Sequence, residues 1–552
     1  MNADVPTITL TSGGERVPAT VLSVEVRREL NRVPEATVTA RVVRDARDAS
    51  VKTGYEVQGR SARPLAATFE LGKPLAIAVR AGNDEDATLF EGLVAKYGME
   101  SRAGVSELRI ELKDAAFRLT RQRRSAVFHD QTDADTIREL VEGAGLAVGQ
   151  LAAAARHDEM IQFQASDWDF IVSRADAQGR VVDVRDGVVH VRPMALAGAA
   201  KQLDGVLEVE LELDGGEQWA TLTGQAWDAE ALTATDPVAA ARPAGALAAP
   251  DVASVAERLG GEAGALVHPV SLPELELNAW ASSRLLRSRL ALLRGRVLLE
   301  GRPDVAPLDA VELEGVGERL DGAAFVSAVT HTIDDGGWRT ELRIGLPPEP
   351  FAHQPDIADV LAGGLLPPAR GLHVGVVSAY EADADPLGQQ RVKVLLSVLG
   401  REQDAVWARV ARPDAGEARG LVFWPEPGDE VVVGFVNGDP RQAILLGALH
   451  GPGNAPPAVA SPPTADAPGR RAIVSKRGTV LAFDDAGPSV TLKTPGGNRI
   501  VLDDAAQSIA LTDPHGNSIT LDAEGITLKS ASDLKLDAAG QVVISGREVD
   551  VR

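Results

Sequence analysis

Cysteine is absent from all 552 residues. Its absence excludes disulfide staples, thiolate-held zinc or iron–sulfur centres and thiol nucleophiles, and leaves the redox compartment open. Basic residues are in deficit, 56 Lys and Arg against 79 Asp and Glu, for a net charge of −23. Most of such a surface repels phosphate backbones and anionic lipid, so no nucleic-acid partner is expected. No stretch approaches the roughly 18 continuous apolar residues of a membrane helix. The opening MNADVPTITLTSGGERV also lacks the basic region and apolar run of a secretory leader. The expectation is a chain without a signal peptide, any exit from the cell taking a route other than general secretion.

What is present points to strands. Aromatics make up only 4% of the chain, while alternating valine- and threonine-rich stretches recur along its length. A chain this long exceeds one core and is expected to hold three or more domains. Up to Ala116, TITLTS, ATVLSVEVRREL, ATVTARVV, LAIAVRAG, TLFEGLVAKYGM and SELRIELKDA read as strands between Gly, Asn and Asp turns. Helices are predicted over 132–144, capped by Thr132 or Asp133, over 166–178, opened by Ser166 and closed by Gly179, and over 274–294. RVVDVRDGVVHVRP reads as a hairpin over Asp186-Gly187. Residues 232–272 read as a long low-complexity connection with a short helix near 252–259, and 347–368 as a proline-bounded linker.

Five short strands follow between His373 and Leu449: HVGVVSAY, QRVKVLLSV, AVWARVAR, EVVVGFV and AILLGALH. Their number and unequal loops suit a small closed barrel of the oligonucleotide/oligosaccharide-binding (OB) type. A stiff Pro-Ala spacer comes next. The chain then repeats: GTVLAFDD at Gly478, GNRIVLDD at Gly497 and GNSITLDA at Gly516. Strands of this region carry apolar pairs at alternate positions, Leu481/Phe483, Val490/Leu492, Ile500/Leu502, Ile509/Leu511, Ile519/Leu521, Ile526/Leu528, Leu534/Leu536, Val542/Ile544 and Val549/Val551. One meander gives this face nothing to pack on. At roughly 25 cal/mol per Å² the apolar area is too large to leave wet. Several copies winding together, as a homotrimeric β-prism, would bury it. A single-chain solenoid would need three faces per coil, which a two-strand period fits less well.

These parts in this order resemble the VgrG-type spike family of type VI secretion systems, extracellular contractile injection systems and contractile phage tails. The closest correspondence lies in PEPGDEVVVGFVNGDPRQAILLG, Pro425 to Gly447, where Pro425, Gly428, Asp429, Gly438, Asp439 and Pro440 fall on the family's barrel signature. FHDQTDADTIRELVEGAGL, QASDWDFIVSRADAQG and the stretch from Gly301 to Leu342, with His331 and Thr340, are similar to its hub region. The resemblance implies a mainly β fold: a hub of two β-barrel-like subdomains with inserted helices at residues 1–365, an OB-fold barrel at 371–450, a spacer at 451–472 and a C-terminal trimeric β-helix or β-prism needle at 473–552. It implies a homotrimer that matches a hexameric inner tube subunit, touches baseplate proteins, carries a conical PAAR-like tip protein or effectors, and pierces a target membrane mechanically without being an integral membrane protein. The short N-terminus, LNRVPEATVTARV, TLFEGLV and the lack of an extension after the needle favour an extracellular phage tail-like particle over a cell-anchored system.

No catalytic residue, cofactor or metal is expected. Glu426, Asp429, Glu430 and Asp439 could form a paired-carboxylate lysozyme-like site, but two of them follow turn glycines, where Asp bonds its own backbone. Asp484-Asp485 and Asp503-Asp504 lack the third glycine of calcium-binding β-roll repeats and read as turn acids. His129, His157, His190, His331, His450 and His515 show no ligand spacing. The basic stretch RLTRQRR, Arg118 to Arg124, reads either as a contact for an acidic partner or as a solvated strand end. Two rivals from other classes stand beside the spike: a cell-wall-degrading enzyme, separated by a peptidoglycan zymogram, and a carbohydrate-binding trimeric adhesin, separated by co-purification with tube and sheath.

Overall fold

The computed structural model describes residues 6–42, 69–81, 85–102, 105–151, 156–194, 199–243, 252–357, 359–379, 385–399, 405–465 and 468–551. The last residue of the ATVTARVV strand therefore lies outside the described residues, as does part of the low-complexity connection. The chain divides into two compact units, 1–359 and 360–552.

The first unit is built on one 13-stranded sheet. In its N-terminal half, Thr20–Glu29, Glu35–Val42, Val105–Lys113, Ala87–Arg102, Pro74–Arg80 and Thr7–Ser12 run side by side, each antiparallel to the next. Alternation sets the inner face: in PLAIAVR, Leu75, Ile77 and Val79 are buried and the residues between them are not. They join Val24, Val26, Val38, Ile110 and Leu112 in one core. The second half uses Val206–Leu213, Leu293–Glu300, Gly337–Ile344, Gly322–Asp334 and Ala310–Leu313 around Val297, Leu299, Val311, Val326 and Leu342. Thr20–Glu29 pairs with Gly322–Asp334, from Ala328 opposite Glu29 to Ile333 opposite Val24. The barrel-like halves are thus joined strand to strand, each over its own core.

The inserted helices fall close to their predicted positions. Thr132 caps Asp133–Gly143: its Oγ1 accepts the Asp135 N–H while the Asp135 carboxylate accepts the Thr132 N–H, a reciprocal capping box. Ser166 caps Asp167–Ala177, and Gly179 leaves the helix at φ +69°. Asp186 and Gly187 both take positive φ, as a tight hairpin between Arg180–Arg185 and Val188–Pro193 requires.

Several elements depart from the sequence reading. Inside the supposed connection, Ala263–His268 is a strand lying parallel to Thr221–Asp228. AGALVH carries too few large apolar residues to show a period, and its partner is distant in sequence. The helix predicted over 274–294 is Glu274–Leu290, and the chain is already extended at Leu293. Gly295 there approaches the Glu210 carbonyl so closely that a Cβ would meet it at 2.0 Å. The proline-bounded stretch is not a free linker at its start: Phe351 is buried, and its N–H donates to Asp176 Oδ2 at 3.0 Å. Asp176 in turn pairs with Arg287, both nearly fully buried, and Arg287 Nη1 donates to the Pro347 carbonyl at 3.2 Å. That paired charge ties two helices to the segment leaving the unit.

In the second unit, His373–Val377, Arg391–Leu396, Val406–Val410, Ala443–Ala448 and Glu430–Phe435 close into a five-stranded barrel in that order. Val392, Val394, Leu396, Val431, Val433 and Leu445 fill it. Beyond it, seven strands form an antiparallel meander: Arg470–Val474, Val480–Asp484, Ser489–Lys493, Arg499–Asp503, Ser508–Thr512, Ser518–Asp522 and Gly525–Lys529. The meander begins inside the stretch read as spacer. The predicted strands DLKLDA, QVVISG and EVDVR do not form, so Leu534, Leu536, Val542 and Ile544 lie outside the sheet and exposed. The chain turns away at Ala531, whose N–H donates to Asn517 Oδ1 at 2.8 Å. One chain gives the remaining residues no surface to cover their apolar sides.

Candidate functional site

The acids of the barrel signature do not converge. Asp429 Oδ2 accepts the Glu426 N–H at 2.8 Å, closing a turn in which Gly428 holds φ +95°. Glu426 itself pairs with Lys476 at 2.5 Å. At the second turn Asn437 and Gly438 both take positive φ, and Gly438 packs near Leu361 and Pro368. Asp439 accepts the Arg441 N–H and guanidinium, contacts that lower its pKa to about 2. A carboxyl held ionised in that way cannot serve as a general acid near neutrality. Asp429 and Asp439 are engaged locally as turn-formers.

The meander carries a coherent apolar surface. Its register places Leu481 opposite Leu492, Phe483 opposite Val490, Val490 opposite Leu502 and Leu492 opposite Ile500. The pattern continues with Ile500 and Leu511, Leu502 and Ile509, Ile509 and Leu521, Leu511 and Ile519, Ile519 and Leu528, and Leu521 and Ile526. Directly opposed residues share a face, so every apolar pair from Leu481 to Leu528 lies on one side of the sheet. Ile473, opposite Leu481, joins them. It escaped the sequence reading because RRAIV adjoins the Pro-Ala stretch, although its alternation was a usable signal. The other face carries Ala482, Thr491, Val501, Ala510, Thr520 and Thr527. The apolar face is open in the single chain: Phe483 is 38% exposed and Leu502 45%.

Turn chemistry explains the repeat. Gly478, Gly497 and Gly516 hold φ of +85°, +96° and +92°, each in a five-residue turn whose ends bond across, as Thr494 N–H does to the Asn498 carbonyl. Asp484 Oδ1 accepts the Ala486 and Gly487 N–H groups, and Asp503 Oδ1 that of Ala506. These bonds, with Arg470 nearby, hold the Asp484 carboxyl below the ordinary range. Asp513 is lowered in the same way, chiefly by Asn517.

The basic stretch makes contacts within its own unit. Arg118 reaches the Ala144 and Gly145 carbonyls, Arg121 lies over the Phe117 ring, Arg123 donates to the Ile357 carbonyl at 2.8 Å, and Arg124 forks onto Asp167. Arg118, Arg121 and Arg124 remain exposed at the start of the strand Arg123–Thr132, as a solvated strand end would be, while making these contacts within the unit. His331 sits opposite Thr340 and bonds its Oγ1 at 3.0 Å. Burial, with the Arg28 charge, pushes its pKa down to about 4. Among the described residues no cluster of His, Asp and Glu could hold a metal ion, and no helix is long and apolar enough to cross a membrane.

Comparison with known proteins places three family models on the chain. The Alg8 N-terminal domain matches residues 2–335, more than half of it. The type VI secretion system/phage-baseplate injector OB domain matches 373–450, and the phage baseplate V C-terminal trimerisation domain matches 489–552. The actin cross-linking toxin VgrG1 of Vibrio cholerae is 43% identical over 58 residues, 10% of this chain and 5% of that protein. The type VI secretion system spike protein VgrG5 of Pseudomonas aeruginosa is 34% identical over 89 residues, 15% of this chain and 11% of that protein. The chain thus spans only a small fraction of the length of these two relatives. A solved tail protein from Neisseria meningitidis matches with a TM-score of 0.44 at 14% identity, over 64% of this chain and 99% of that one. With an Alg8-type N-terminal domain, an injector OB barrel and a baseplate trimerisation segment in succession, the chain belongs to the VgrG-type spike family.

Proposed function

We propose that three copies of this chain form the spike of a contractile injection apparatus and that their work is mechanical. The observation that carries the reading is the one-sided needle sheet, whose apolar pairs align by register and stay open in one chain, within a segment matched by a trimerisation model. Three such faces turned to a common axis exclude water from all of them and leave the polar faces outside. The two barrel-like halves of each hub sheet would give six similar units in a trimer, the number that mates with a hexameric inner tube. In the proposed division, residues 1–365 form the hub, 371–450 the barrel and 451–472 the spacer. The needle, from 473, is extended back to Arg470. The trimer assembles in the cytoplasm, contacts baseplate proteins, carries a PAAR-like tip protein or effectors, and acts in an extracellular phage tail-like particle. The local engagement of Asp429 and Asp439 in their turns supports a role without turnover chemistry.

Leu511→Asp tests the axis. It would bury three carboxylates side by side, at a cost of several kcal/mol each unless they protonate. The full chain is expected to sediment as a trimer and the variant as a monomer. A variant that remains a stable trimer would put the apolar face elsewhere than on the axis.

A further inference from the structure

The barrel carries two apolar surfaces that its fold does not use. The first is a wall. A strand with one wet face alternates, and RVKVLL begins so, with Arg391 and Lys393 on the outer side and Val392, Val394 and Leu396 buried. EVVVGF and AILLGA instead run apolar almost without interruption, the pattern of strands covered on both faces. On the outer side of this part of the barrel lie Val374, Val376 and Leu446, each 41–50% exposed, with Leu372 beside them at 68%. Val374 stands opposite Val432. Leu372 and Leu446 both close over Gly434, where a Cβ would meet either side chain at 3.5 Å.

The second surface is an arm, Leu421 to Trp424. These four consecutive residues lie between the barrel strands Val406–Val410 and Glu430–Phe435, and each is 43–59% exposed. The arm is held firmly. Leu421 N–H donates to the Asp414 carbonyl at 3.1 Å, and Asp414 pairs with Arg419 across the small ribbon Ala415–Gly416/Arg419–Gly420. Arg412 donates to the Phe423 carbonyl at 3.0 Å and lies 4.4 Å from the centre of the Trp424 ring. An apolar run fixed in place while facing water is preorganised to bind.

We infer that the arm of each copy docks on the barrel wall of the next copy, so that three barrels join head to tail in a closed ring. The inference rests on the trimer proposed above. Its occupant is a second copy because wall and arm are unlike surfaces of one barrel, and contact between unlike patches closes only when rotation brings the chain back on itself. The trimerisation segment in the same compact unit supplies that rotation. The ion pair of Lys476, at the start of the needle, with Glu426, two residues past the arm, makes the two interfaces continuous.

The absence of native cysteine makes the test clean. Full-length chains carrying F423C, V374C or both are treated with a short bis-maleimide, after native sedimentation of each. The double variant is expected to give covalent dimers and trimers on denaturing gels. Each single variant alone should give only monomer, and co-assembled single variants should stop at dimer, because only one junction type then carries both thiols. Crosslinking by V374C alone would mean that the walls meet one another around the axis, and a double variant that crosslinks only within its own chain would seat the arm on its own barrel. Either result, or a trimer with no crosslink, overturns the docking while leaving the trimer intact. If the unsubstituted chain does not sediment as a trimer, the proposed spike assembly fails first and the docking with it.

Discussion

The hub sheet and the needle sheet are both antiparallel and both alternate, yet they dispose of their apolar side chains in opposite ways. In the hub, Val24, Val38, Ile77 and Ile110 are fully buried, because the sheet curls over its own core. In the needle none of the residues at equivalent alternating positions is buried, and Phe483, Leu492, Leu502, Ile509, Leu511 and Ile519 are 37–45% exposed, because a single meander of five-residue strands encloses nothing. The contrast shows that alternation specifies a buried face but not who buries it. A curved sheet supplies its own cover, and a flat ribbon must obtain it from other copies.

The comparison can be broken at the hub core first. Phe325→Ala removes a ring that is 1% exposed and is expected to cost about 3–5 kcal/mol. Chemical denaturation should show that loss at every chain concentration, with the native mass unchanged. Needle variants should instead lose stability as the chain is diluted. Concentration dependence in the hub transition would erase the distinction.

Acid sharpens the comparison. His331 is buried in the hub with a pKa of about 4, below its ordinary 6.5. Between those values the unfolded chain binds a proton that the folded hub refuses, so stability falls as pH drops from 6.5 and the loss is complete near 4. The shift corresponds to about 3 kcal/mol. His331→Asn should flatten the slope of hub unfolding free energy across that window, and an unchanged slope would assign the acid sensitivity to other groups.

The smallest effect concerns the needle turns. Gly497 holds φ +96°, and a Cβ there would come within 3.2 Å of Pro514 Cβ. Gly497→Ala should cost at least about 1 kcal/mol per chain, whereas Gly487→Ala, with open space and an ordinary backbone, should be neutral or slightly stabilising. Equal melting temperatures for the two would deny the turn its part in setting the repeat.

Much of this was legible because it was local. Thr132 and Ser166 announce their helices through caps within three residues, and Asp186-Gly187 announces its hairpin. The repeat exposes the needle's apolar pairs up to Leu528. Elements that depend on distant partners were not legible. Ala263–His268 becomes a strand only against Thr221–Asp228, and Phe351 leaves the linker only because buried Asp176 accepts its N–H. The contacts that the arginines of RLTRQRR make with Ile357, Asp167 and Gly145 come from residues outside that stretch. Leu534, Leu536, Val542 and Ile544 show the converse, since their pattern predicts strands that one chain does not form.

By itself the sequence determined the periods: which residues share a face, where the chain must turn and where a cap begins a helix. These follow from backbone geometry over a few residues. Tertiary structure alone decided which faces are covered within the chain and which charges are spent inside it, because burial depends on surfaces that residues far apart must supply to one another.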